Sequence, residues 1–304
     1  MFMAEMFMSR VRVSRSFLAA VACAGLVAAA GCGKKADTEP PVATPGFSIN
    51  KTRAALGSPV VVTYRFQVAP NAPAINGNFR VMVHVLDNED VLMWTDDHDP
   101  SVPTSQWKPG QTIEYTRELF IPIYPFTGTA SVRMGLYADD GRRLPLAGEN
   151  DGQRGYTVGA IDLLPQSENV FLVYKDGWNP EEVAQNNPAV TWQWTKKSAT
   201  ISFKNPRRDA TFYLHADARP DLVGRPVQVT VRVGETVIET LSFDAQAEVL
   251  KKIAISNAQF GSADNIDLVL DVDPSFVPAQ TPAANSKDPR ELGLRVFHAF
   301  IEPK

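Results

Sequence analysis

From Gly46 to the end of the chain, apolar and polar residues alternate with a period of two almost without interruption. A strand turns successive side chains to opposite faces, so this period reads as half-buried β-structure. Pro59 to Val68 alternates and is β-branched, and Phe79 to Leu86 does the same before breaking at Asp87-Asn88. Asp90 to Thr95, Thr112 to Ile121, Thr129 to Tyr137 and Gly155 to Ile161 follow, with turn signals at Lys108-Pro109-Gly110 and Asp139-Asp140-Gly141. A break near Leu164-Pro165-Gln166-Ser167 precedes a second set. It comprises Val170 to Tyr174, Thr191 to Trp194, Ala199 to Phe203, Ala210 to Ala216, Pro226 to Val233, Thr236 to Phe243, Glu248 to Ile255, Ile266 to Val272 and Gly293 to Ile301. Val233-Gly234-Glu235-Thr236 reads as a tight hairpin turn. Glu181 to Gln185 is expected to form one helical turn, and no long amphipathic helix is present. The expected class is all-β: an immunoglobulin-like sandwich over 46–164, then a jelly-roll sandwich over 168–304.

The segment before this pattern is of another kind. Arg10, Arg12 and Arg15 precede an uncharged apolar run of fourteen residues, Phe17 to Ala30, and small residues then lead to Gly31-Cys32. As a helix this run would span about 21 Å, too short for the roughly 30 Å hydrocarbon core of a bilayer. It fits the apolar region of an export signal over 1–31. Ala29-Ala30-Gly31-Cys32 resembles the lipobox of bacterial lipoproteins, with Ala29 departing from the larger aliphatic residue usual there. The resemblance implies cleavage before Cys32, acylation of its sulfur and new amine, and anchoring of the chain to a membrane. Gly33 after Cys32, where an Asp would retain such proteins at the inner membrane, implies the outer membrane, facing the periplasm or the exterior. Residues 32–45 are polar and Pro-rich and read as a flexible tether.

Cysteine and charge usage narrow the function. The two cysteines are Cys23, lost with the signal, and Cys32, which would carry lipid. The mature chain would then hold no free thiol and no disulfide, excluding thiol catalysis and cysteine-ligated metals. Loss of residues 1–31 would move the net charge from −4 to about −6. An acidic balance argues against nucleic acid, which needs a basic face.

Further resemblances lie in the two halves. Val81 to Asp87 (VMVHVLD), Trp94, Trp107-Lys-Pro-Gly110, Met134-Gly-Leu-Tyr137 and Arg143-Leu-Pro145 together resemble a β-sandwich module found beside membrane glycosyltransferases that build envelope polysaccharides. Asp288-Pro-Arg-Glu-Leu-Gly-Leu-Arg-Val296 is similar to the closing strand of galactose-binding-like jelly rolls. What the two imply is an association with envelope carbohydrate; neither carries a catalytic motif, and fold analogy does not establish function.

Several residues are candidates for chemistry. Asp96, Asp97 and Asp99 offer three carboxylates within four residues, enough oxygen ligands for a structural Ca²⁺. The run lacks the glycine and spacing of a dedicated calcium loop, and a solvated strand end is the plainer reading. Asp264, Asp267, Asp271 and Asp273 read as solvent-facing residues that blunt aggregation. Trp192 and Trp194, two apart on a strand, share a face: exposed they would form a platform for sugar rings, buried they would anchor a core. Trp178, in a loop-like segment after Lys175-Asp176-Gly177, is a second aromatic candidate, and Arg290 a polar one, although Arg290 beside Glu291 also suits a loop clamp. His84, His215 and His298 fall inside expected strands, and His98 in the acidic run. No HExxH, GxSxG or phosphate-binding glycine loop is present, so an enzyme is not expected. Two functions remain. One is a binding module that holds envelope or exported polysaccharide, which requires an exposed aromatic beside polar groups in a concave face of the second half. The other is an assembly protein contacting another envelope protein, which requires buried tryptophans and an exposed apolar or edge-strand patch. Neither needs a cofactor.

Overall fold

In the computed structural model, residues 39–304 are described, apart from the side chains of residues 187–189. The signal segment 1–31, Cys32 and the tether as far as residue 38 lie outside the described residues. The first half carries β1 (Ala43–Ile49), β2 (Arg53–Ala55), β3 (Pro59–Val68), β4 (Arg80–Leu86), β5 (Leu92–Thr95), β6 (Thr112–Phe120), β7 (Gly128–Tyr137), β8 (Arg143–Leu144) and β9 (Tyr156–Leu164). The second carries β10 (Leu172–Tyr174), β11 (Glu182–Ala184), β12 (Asn187–Trp194), β13 (Ser198–Lys204), β14 (Ala210–Asp217), β15 (Val227–Val233), β16 (Thr236–Phe243), β17 (Val249–Ile255), β18 (Asn265–Asp273) and β19 (Arg295–Pro303). The chain is all-β, as the alternation predicts. Among the described residues no helix is long and apolar enough to cross a membrane.

Four sheets form two sandwiches. In the first half a three-stranded sheet, β1-β3-β6, faces a sheet ordered β2-β9-β7-β4-β5, with β8 on β7. Val60, Val62, Tyr64, Phe66 and Val68 on β3 meet Val81, Val83 and Val85 on β4 and Val132, Met134 and Leu136 on β7. In the second half a back sheet, β10-β13-β18-β15-β16, faces a front sheet, β11-β12-β19-β14-β17, in which β19 is central. Their core joins Ile201 and Phe203, Leu268 and Leu270, and Phe212 and Leu214. The strands are amphipathic in the expected sense: on β14, Phe212 and Leu214 point in while Thr211, Tyr213 and His215 point out. The β15–β16 hairpin closes with Val233 paired to Thr236, and Gly234 supplies the left-handed φ of 56° that such a two-residue turn requires.

Two expectations need correction. The stretch read as tether is strand from Ala43 onward: β1 pairs with β3 through seven residues, and Val42 and Ala43 are buried. Pro45 is tolerated because β1 is an edge strand, where a missing N–H can face away from the ladder. Residues 182–184 are strand, not a helical turn, because β11 pairs with β12.

The two sandwiches touch through the outer face of the front sheet. Phe120, at the end of β6, stacks on His298 with ring centres 4.5 Å apart and meets Tyr213 edge-on at 6.5 Å. Lys51 pairs with Glu302 and Lys252 with Glu118 across the same boundary. The Asn169 amide donates to the Leu56 carbonyl at 2.7 Å.

Candidate functional site

Trp192 and Trp194 lie on one face of β12, as their spacing requires, but that face is closed. Trp194 is 7% exposed and packs edge-on against Phe276, beside Leu292, in a small cluster separate from the inter-sheet core. The Arg295 guanidinium sits 5.3 Å from the Trp192 ring, 5.7 Å from Trp194 and 4.9 Å from Phe297. Its Nε donates to Asp217 at 2.8 Å, and a second N–H reaches the other carboxylate oxygen. The Asp217 side chain is 3% exposed. A cation thus already occupies the faces a sugar ring would use, and a buried carboxylate neutralises it.

Trp178 and Arg290 are also committed. Gly177, at φ +84°, makes the turn before Trp178 so tightly that a Cβ there would lie 1.9 Å from the Ser198 carbonyl oxygen. The Trp178 indole then packs on the core, donates to the Thr200 carbonyl at 2.9 Å and takes the Tyr174 ring edge-on at 4.6 Å. Arg290 donates to Asp288 at 2.6 Å and to Glu182 at 2.8 Å, joining the loop before β19 to β11. Hydrogen bonding to Asp288 raises the Arg290 pKa further, and that of Asp288 falls in return. This is the loop clamp, with the guanidinium already held by two carboxylates.

The cation reading of Asp96, Asp97 and Asp99 is corrected by their separate employment. Asp96 accepts from Arg117 Nη2 at 2.8 Å and Nε at 3.0 Å, and from the Tyr64 hydroxyl at 2.8 Å. Asp97 accepts from the Val83 amide at 2.9 Å, while Asp99 is 85% exposed. The extended backbone turns Asp96 away from Asp97 and Asp99, and among the described residues no group of three His, Cys, Asp or Glu could hold a metal ion. His98 lies buried beside Asp96, with Nε2 2.8 Å from the Tyr115 hydroxyl. Burial lowers its pKa and, together with the Asp96 charge, raises that of Tyr64. This network joins the two sheets of the first sandwich. The second acidic stretch is likewise paired: Asp264 with Arg207, Asp267 with Lys175, Asp271 with Arg232 and Asp273 with Arg225.

An open site lies on the opposite side of the second sandwich. Val170 and Leu172 pack into the core, so alternation turns Phe171 and Val173 outward at the edge of the back sheet. Phe171 is 79% exposed. The β10–β13 register sets Leu172 opposite Phe203 and Val173 opposite Ser202, which brings Phe171 and Lys204 to the same outer face. Asn265 on β18 stands opposite Lys204. The turn Asn205–Arg208 and Pro303 of β19 complete a concavity of about 680 Å³. Asn205 shapes that turn by donating to the Gly261 and Ala263 carbonyls at 3.1 and 2.9 Å. The result is an exposed ring beside amides, an ammonium and a guanidinium, which suits a ligand with a flat apolar face and polar edges. Sequence reasoning passed over Phe171 because Val170 to Tyr174 reads as one apolar run. The usable signal was its edge position, which exposes every second residue.

No protein-family model matches the chain, and no curated protein matches it. Among solved structures, the CBM51-2 and INT domains of Clostridium perfringens ZmpB overlap with a TM-score of 0.25 and 11% identity, over 60% of this chain and 39% of that one. The CBM22-1–CBM22-2 tandem of Paenibacillus barcinonensis Xyn10C overlaps at 0.25 and 9%, over 89% and 95%. Trypsin-activated alpha-2-macroglobulin from Escherichia coli overlaps at 0.23 and 10%, over 85% and 15%. TM-scores of this size establish no common fold, and nothing about this chain's function follows from them.

Proposed function

We propose that this chain is a non-catalytic, lipid-anchored envelope protein that binds polysaccharide in the Phe171 concavity. The observation that carries the reading is an aromatic ring left 79% exposed inside a concavity of about 680 Å³ whose other walls offer polar groups. A large ring held in water has a cost that packing would remove, and stacking on the apolar face of a sugar recovers it. Phe171→Ala tests the reading by affinity electrophoresis in gels containing polysaccharide from bacterial envelopes: retardation of the parent chain should be lost. Equal retardation of both overturns it. The anchor is proposed from the lipobox alone. Cys32→Ala should release the chain from the membrane fraction, and continued membrane association overturns that part.

A second reading has its own support. β10 is a three-residue edge strand with Val173 and Tyr174 exposed and Phe171 exposed just before it, the kind of edge a partner's strand can extend. Under this assembly reading no glycan is retained, and Val173→Pro, which would obstruct the edge, removes a copurifying envelope protein.

A further inference from the structure

We infer that the polysaccharide held at Phe171 is acidic, its rings carrying carboxylates that Lys204 and Arg208 receive; this rests on the reading of the concavity as a glycan site. The residues lining it include Lys204 and Arg208 but no aspartate or glutamate. Around the concavity the neighbouring charged groups are otherwise engaged. Arg207 is held by Asp264 and by the Ser262 carbonyl, Asp209 accepts from the Asn257 amide, and Lys175 neutralises Asp267. Among the described residues Lys204 and Arg208 make no ion pair, and both are exposed.

The placement fits one ligand chemistry. Lys204 stands on the same outer face as Phe171, so a ring stacked on the phenyl group puts its substituents beside the ammonium. Arg208, on the turn, presents the planar fork that receives a carboxylate through two parallel hydrogen bonds. Asn265, exposed opposite Lys204, remains for hydroxyl groups. A concave wall of one sign concentrates its field on a polyanion seated there. A polymer of uronic acids meets all three demands; a neutral glycan would leave both cations without a partner.

The test is an array of uronate-rich envelope polysaccharides, each printed in native form and after reduction of its carboxylates to hydroxymethyl groups. It is probed with the full chain and with two variants at low and high salt. The parent chain should bind native polymers at least tenfold more tightly than their reduced forms, and this preference should fade as salt rises. Lys204→Ala/Arg208→Ala should abolish the preference while leaving weak binding to reduced polymers, and Phe171→Ala should remove binding to both. Equal binding of native and reduced polymers overturns the acidic class and leaves the glycan site standing. Absence of binding to any polymer, or binding untouched by Phe171→Ala, overturns the glycan site itself. Thermal melting of each variant confirms that these surface changes leave the fold intact.

Discussion

The two outer faces of the second sandwich use the same side-chain chemistry to opposite ends. On the front sheet Arg295 lies over Trp192, Trp194 and Phe297, and Asp217, almost wholly buried, satisfies its charge. On the back sheet Phe171 stands in water beside Lys204 and Arg208, and no carboxylate lines their concavity. Aromatic rings with a cation are present on both. What separates a closed structural face from an open one is whether the chain supplies the anion itself. A search for open aromatic surface by residue type alone selects the closed face, since the tryptophans are the more prominent aromatics in the sequence.

The contrast can be broken most forcefully at Asp217. Asp217→Ala strands the Arg295 guanidinium among rings, and removing one partner of a buried pair costs about 3–5 kcal/mol; urea unfolding should show a loss of that order. A cost under about 1 kcal/mol would mean that the front face is not locked by this pair. Trp194→Ala should cost about 3 kcal/mol through the cavity it leaves beside Phe276 and Leu292, read from the same transition.

Acid should weaken the front face next. Burial lowers the pKa of His215 and of His298, and proximity to His215 lowers that of His298 further. Both are neutral in the folded chain at neutral pH, and the unfolded chain binds protons first. Stability is therefore complete above the ordinary histidine value of 6.5 and falls as pH drops below it towards the depressed folded values. Melting temperature should decline from pH 7 to pH 5, and His215→Gln/His298→Gln should flatten that decline. A double variant with an unchanged slope would place the acid sensitivity elsewhere. The smallest effect belongs to the open face. Phe171→Ala should alter stability by no more than about 0.5 kcal/mol, as expected of an exposed side chain, while removing glycan retention. A large loss of stability there would make Phe171 a packing residue.

Much of the architecture was legible because alternation fixes both the strands and their sidedness. β3 runs from Pro59 to Val68 as expected, and the β15–β16 turn falls on Gly234. What alternation does not reveal is what covers each face. Trp192 and Trp194 share a side, yet Arg295 and Asp217, which close that side, are separated from each other by 78 residues. Asp96 finds Arg117 21 residues on, beyond any local spacing rule. Phe171 was hidden within an apolar run, because edge position is a property of the assembled sheet. Ala43 to Pro45 looked like linker, since a proline at an edge and a proline in a tether have the same local appearance.

The central position of β19 has a temporal consequence. Protein synthesis runs from the amino end, and β19 comes last among the strands, between β12 and β14. The first sandwich has all its strands by Leu164, whereas the front sheet stays split until Arg295–Pro303 has emerged. Arg295, Glu302 and Pro303 all ride on that strand, so the aromatic lock, the Lys51 bridge and one wall of the Phe171 concavity arrive together. Without that strand the first half keeps all its own strands, while the front sheet lacks its centre and the concavity lacks its Pro303 wall.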